Sequence, residues 1–78
     1  MEMKALKPIT EPLRGGRATI ACSIVAAATG TVIAYGTYPA SSAYRHAKAG
    51  QVVLPGSWPD DRYRFRKIRW GWLPQPLT

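Results

Sequence analysis

Acidic, thiol and imidazole side chains are scarce in this chain of 78 residues. It has 4 Asp and Glu residues against 11 Lys and Arg residues, so its formal net charge is +7 and its pI is about 10.2. Such a charge predicts an anionic partner, which could be nucleic acid, acidic lipid or an acidic protein face. The single cysteine, Cys22, excludes an internal disulfide framework, and the single histidine, His46, excludes a zinc site with several His or Cys ligands. We therefore expect neither a metal nor a cofactor.

Patterns that carry catalysis are also missing. The sequence has no phosphate-cradling glycine loop and no nucleophile with a candidate base. Its one pair of adjacent carboxylates, Asp60 and Asp61, follows Pro59, where we interpret it as capping the start of a helical turn. A chain of this length forms one small domain at most. We expect a protein that is not an enzyme.

No charged residue occurs between Arg17 and Arg45. A helix that crosses a bilayer needs about 20 mostly apolar residues, and the uncharged run is long enough. We predict a transmembrane helix over residues 18–38 that is kinked or ended near Pro39, because proline removes a backbone donor. The alternative is a buried core helix of a soluble assembly, since alanine, threonine and glycine dilute the hydrophobicity of the run.

The predicted fold class is all-α, with a single transmembrane helix, irregular and mostly extended ends, and no independent globular core. The predicted segments are an irregular basic segment over residues 1–17, the transmembrane helix over residues 18–38, a helical continuation over residues 39–50, and a basic, aromatic, proline-punctuated docking tail over residues 51–78.

Small residues recur at four-residue steps along the predicted helix. They would lie on one face and let a second helix approach closely, which favours helix association in lipid. We interpret Cys22 as a packing residue rather than a reactive thiol, because apolar surroundings disfavour the thiolate. The predicted helix-packing residues are Cys22, Ala26, Gly30 and Ala34.

Basic and aromatic residues alternate in the C-terminal segment. The period of two favours an extended chain with arginines on one face, and a short helical turn is expected just before it. Such a segment suits an acidic partner protein, anionic lipid headgroups or single-stranded RNA, in that order of preference. The predicted docking residues are Arg62, Arg64, Arg66, Lys67, Arg69, Trp70 and Trp72.

Together these features predict a non-catalytic, single-pass accessory subunit of an energy-transducing membrane complex. We expect a respiratory-chain complex of the mitochondrial inner membrane, with larger membrane subunits as partners in a hetero-oligomer. Basic residues near the span place the N-terminus on the matrix side by the positive-inside rule. The alternatives are a small basic ribosomal or ribonucleoprotein component and a small subunit of a photosynthetic or ATP synthase membrane complex.

The last alternative is linked to one resemblance. The stretch PLRGGR at residues 12–17, followed by a small-residue run ending in AYG at residues 34–36, resembles the small helix-packing subunits of mitochondrial ATP synthase. That resemblance implies a structural role through helix packing.

Overall fold

In the computed structural model, which describes residues 4–15 and 17–77, the uncharged run forms two β-strands joined by a turn. Strand β1 covers Thr19–Ala26 and strand β2 covers Val32–Pro39. They pair antiparallel, and the register shifts between Ile24 and Val25, where Ile33 is the extra residue of a bulge. The predicted transmembrane helix is therefore a β-hairpin.

Three further strands complete the fold. Strand β3 is Gln51–Pro55, β4 is Tyr63–Ile68 and β5 is Gly71–Pro76. The first three strands form one antiparallel sheet in the order β2-β1-β3, and β4 and β5 form a second, two-stranded sheet. Between β2 and β3, the predicted helical continuation over residues 39–50 is reduced to a 3-10 helix at Ala43–His46.

Backbone hydrogen bonds join the two sheets at both ends. Phe65 in β4 donates its N–H to the carbonyl of Gly30, 2.8 Å away, in the turn before β2. On the other side, Leu6 and Trp72 exchange two hydrogen bonds of 2.7 and 2.8 Å, and Ile9 donates to Val53 in β3 at 2.8 Å. The N-terminal segment therefore bridges β5 and β3, and the strands follow one another in a ring.

Alternate residues of β1 point into two separate hydrophobic clusters. Val25 points toward the interior of the ring, whereas Cys22 and Ile24 point to the opposite face of the sheet. The interior cluster consists of Val25, Val32, Leu54, Phe65 and Trp72, with Leu6, Val52 and Trp58 packed against it. The outer cluster consists of Cys22, Ile24, Ala43 and Val53, with Ile9, Ile20, Ala34, Tyr38 and Ala47 packed against it.

These clusters correct the expectation of a chain without a globular core. The radius of gyration is 11.9 Å, close to the roughly 11.5 Å of a compact chain of this length. The all-α assignment is wrong, because the described residues form five strands and their helical part is one 3-10 turn.

The membrane predictions are wrong as well. None of the helices within residues 4–15 and 17–77 has the length and apolar character that crossing a bilayer requires. The single-pass topology, the mitochondrial inner-membrane localisation and the matrix-side N-terminus all depended on that helix. The resemblance to ATP synthase subunits depended on it too. Met1 to Met3, Gly16 and Thr78, which belong to the predicted irregular N-terminal segment and docking tail, lie outside the described residues.

Candidate nucleic-acid interface

The β4–β5 hairpin has one buried face and one basic face. Phe65 in β4 is 4% exposed and faces the ring interior opposite buried Pro74. Because side chains alternate along a strand, Arg64 and Arg66 point the other way, and both are exposed. We call the surface formed by Arg64, Arg66, Leu73 and Gln75 the outer face of the hairpin; Arg64 pairs with Gln75 and Arg66 with Leu73.

The hairpin turn adds a cation and an exposed aromatic ring. Trp70 is 68% exposed, and the Arg69 guanidinium lies 5.8 Å from the centre of its ring. In β4, Lys67 is also exposed, with its ammonium nitrogen 5.7 Å from the centre of the Trp72 ring. An exposed indole next to a guanidinium can stack on a planar ligand that carries negative charge.

The two tryptophans predicted to dock have different positions. Trp72 is 4% exposed and belongs to the interior cluster, where it also forms the backbone bridge to Leu6. Only Trp70 offers its ring to a partner. Of the predicted docking residues, the structure brings Arg64, Arg66, Lys67, Arg69 and Trp70 to the exposed surface of one hairpin, with Arg62 exposed just before β4.

An open cleft lies where β4 meets the β1–β2 turn. Its volume is about 240 Å³, and its walls come from Thr31, Asp60, Tyr63, Arg64 and Leu77. The Arg64 Nε donates to the carbonyl oxygen of Thr29 at 3.2 Å, which fixes the guanidinium at the cleft wall. Thr31 is far from the basic segment in the sequence, and this is why sequence reasoning missed the cleft.

The predicted helix-packing residues do not share a face in the structure. Cys22 and Ala34 belong to the outer cluster, Ala26 ends β1, and Gly30 lies in the turn before β2. Gly30 has a φ of +76°, and a Cβ atom there would overlap the carbonyl of Phe65. Close approach is therefore required at Gly30, but the partner is a β-strand.

Cys22 is completely buried. Burial raises the pKa of its thiol, because desolvation disfavours the thiolate. Among residues 4–15 and 17–77, no three His, Cys, Asp or Glu side chains are grouped as metal ligands would be. Asp60 and Asp61 lie in a turn in which Arg62 and Tyr63 donate to the carbonyl of Pro59.

Comparisons with protein-family models, with curated proteins and with solved structures find no match for this chain.

Proposed function

We propose that this protein is a small, non-catalytic binding module for single-stranded nucleic acid, as in a ribonucleoprotein component. The observation that carries the proposal is the exposed, basic side of the hairpin: Arg64 and Arg66 project from its outer face, and the exposed ring of Trp70 lies in the turn that follows β4. The outer face would hold the phosphates, and the indole would stack on a base.

The strand sets the spacing of the cations. Alternate residues of a β-strand are separated by about 6.8 Å, so the backbone positions of Arg64 and Arg66 lie about this far apart along β4. This spacing is similar to that of neighbouring phosphates in an extended single strand. Arginine suits this role because its planar fork can donate two hydrogen bonds to one phosphate.

The exposed indole favours single strands over duplexes. Stacking on an aromatic side chain contributes about 1–3 kcal/mol per base and requires that the base is unpaired. The bases inside a duplex are paired and stacked on one another, so they offer no free face to the ring of Trp70. A strand lying along β4 could reach Trp70 at the hairpin turn.

Fluorescence anisotropy with a labelled 12-nucleotide RNA tests the proposal. The double variant R64Q/R66Q should bind about tenfold more weakly or worse, because hydrogen bonds to charged groups are worth about 1.5–3 kcal/mol. The slope of log affinity against log salt should fall by about 1.4, since each phosphate contact contributes about 0.7 in single strands.

The matched control is R45Q/K48Q, which removes the same charge from an exposed region in and just after the 3-10 helix. It should retain most of the affinity. Equal losses in both double variants would mean that net charge alone drives binding and would contradict the proposal. Equally tight binding to an acidic polyglutamate peptide or to anionic lipid vesicles would replace nucleic acid with those partners.

A further inference from the structure

The cleft beside β4 combines groups from both halves of the chain. Tyr63 and Arg64 belong to β4, Asp60 to the turn before it, and Thr31 to the turn before β2. Leu77 closes the cleft from beyond β5 and is 50% exposed. The residues that line this cleft of about 240 Å³ therefore carry an aromatic ring, an aliphatic chain, a hydroxyl, a guanidinium and a carboxylate.

Two walls of the cleft are held in place without any ligand. The ring of Trp58 packs edge-on against Tyr63 at a centroid distance of 4.9 Å and an interplanar angle of 80°. Arg64 uses its Nε–H on the carbonyl of Thr29, which leaves its terminal N–H groups for a ligand. Because these groups are already ordered, binding a partner would cost little side-chain entropy.

Asp60 is the unexpected member of this set. It is one of 4 acidic residues in a chain of net charge +7, and it lies next to the outer face of the hairpin, where it weakens attraction for phosphate. An ionised carboxylate only accepts hydrogen bonds. The cleft therefore suits a neutral, flat group that presents N–H donors.

We propose, on the basis of the function proposed above, that this cleft holds one base of the bound strand and that Asp60 accepts a hydrogen bond from its exocyclic amino group. Cytosine and adenine carry such a group, whereas uracil has a carbonyl oxygen at the corresponding position and one donor, the ring N3–H, on its pairing edge. Where Asp60 faces the position of the exocyclic group, the uracil carbonyl leaves both acceptors unpaired, so the cleft selects amino-bearing bases against uracil.

Anisotropy measurements with the oligonucleotides C12, A12 and U12 test this selection. The unmodified protein should bind C12 and A12 about 3- to 10-fold more tightly than U12, which is the range for one net hydrogen bond. The variant D60N should lose this preference and bind U12 more tightly, because an amide can donate to the uracil carbonyl.

The matched control is D61N, which makes the same charge change at the neighbouring exposed residue. It should raise affinity for all three oligonucleotides alike and keep their ratio. If D60N keeps the preference, or if D61N removes it equally, the role of Asp60 is overturned while the proposed function stands. If none of the three oligonucleotides binds at low salt, both proposals are wrong.

A free nucleotide could present the same amino group. Cytidine monophosphate should displace C12 only weakly, because it cannot reach Arg66 and Trp70 while it occupies the cleft. Displacement by the mononucleotide at the same concentration as by C12 would overturn the assignment to a bound strand.

Discussion

The three-stranded sheet and the β4–β5 hairpin are both antiparallel, but they differ in how many of their faces are covered. In β1, four consecutive residues from Cys22 to Val25 are buried, because both faces of the sheet are covered. In β4, Phe65 is buried between two exposed arginines, because only one face of the hairpin is covered. A strand covered on both faces contributes stability alone, and a strand covered on one face has a surface left for a partner.

The distribution of charged residues differs between the two regions in the same way. The run from Ala18 to Tyr44, which includes β1 and β2, has no charged residue, whereas 5 of the 11 basic residues lie between Arg62 and Arg69. Burying a charge is costly unless it is paired. The buried stretch of β1 therefore excludes charge, and the hairpin carries its charged side chains on its exposed side.

The largest effect on the free energy of unfolding should come from the two tryptophans of the hairpin, one of which is buried and the other exposed. Trp72→Ala removes a ring that is 4% exposed and should lower the free energy of unfolding by about 3–5 kcal/mol. Trp70→Ala removes a ring that is 68% exposed and should change it by less than about 0.5 kcal/mol. Urea denaturation measures both. Similar losses in the two variants would contradict the burial of Trp72 and the exposure of Trp70.

A second test addresses the junction between the two regions. Gly30 and Gly50 have φ values of +76° and +80°, but only at Gly30 would a Cβ meet another residue, the carbonyl of Phe65. Gly50→Ala should cost about 1–2 kcal/mol from the left-handed backbone alone. Gly30→Ala should cost about 1–3 kcal/mol more from overpacking. Equal midpoints of chemical unfolding for the two variants would show that the junction tolerates a side chain.

A third test concerns Ser23, a buried polar residue of the uncharged strand β1. Its buried hydroxyl donates to the carbonyl of Gly56 at 2.7 Å and accepts from the N–H of Trp58 at 2.9 Å. Ser23→Ala leaves both backbone groups without this partner and should cost about 1–3 kcal/mol in thermal or urea unfolding. The control, Ser57→Ala, changes an exposed serine between Gly56 and Trp58 and should leave the free energy of unfolding nearly unchanged.

The smallest effect concerns Cys22 and pH. Burial raises the pKa of its thiol in the folded state, so the unfolded chain ionises first, near its ordinary value of about 8.5. The stability that Cys22 contributes is therefore fully present below that pH and is lost as pH rises toward the folded pKa. The difference in unfolding free energy between the unmodified protein and Cys22→Ala should shrink above about pH 8.5. A difference that stays constant up to pH 10 would contradict this.

Local patterns predicted β4 better than the three-stranded sheet. The alternation of arginines with Tyr63 and Phe65 predicts an extended chain, and β4 confirms it. The short helical turn expected before it is instead a hydrogen-bonded turn at Pro59. The same alternation places the arginines opposite Phe65, as observed. It did not separate Trp70 from Trp72, since exposure at the hairpin turn depends on where β5 begins.

The uncharged run was wrongly predicted to be a helix, because a strand such as β1 that is covered on both faces has no alternation of apolar and polar residues. Such strands read as continuous apolar segments and are not distinguished from buried helices by periodicity. Two features of the run are typical of strands nonetheless: its β-branched residues, such as Ile24, Val25 and Val32, and the glycine at position 30 between them. Together they divide the run into two eight-residue strands.

The sequence by itself determined the net charge, the placement of its cations in one alternating segment, and the lack of charge over the first two strands. These are properties of composition and local order. Only the tertiary structure decided that β1 is covered on both faces, that Trp72 is buried while Trp70 is exposed, and that Thr31 meets Arg64 and Asp60 in one cleft. Those outcomes depend on contacts between residues far apart in the chain, which the order of neighbouring residues does not specify.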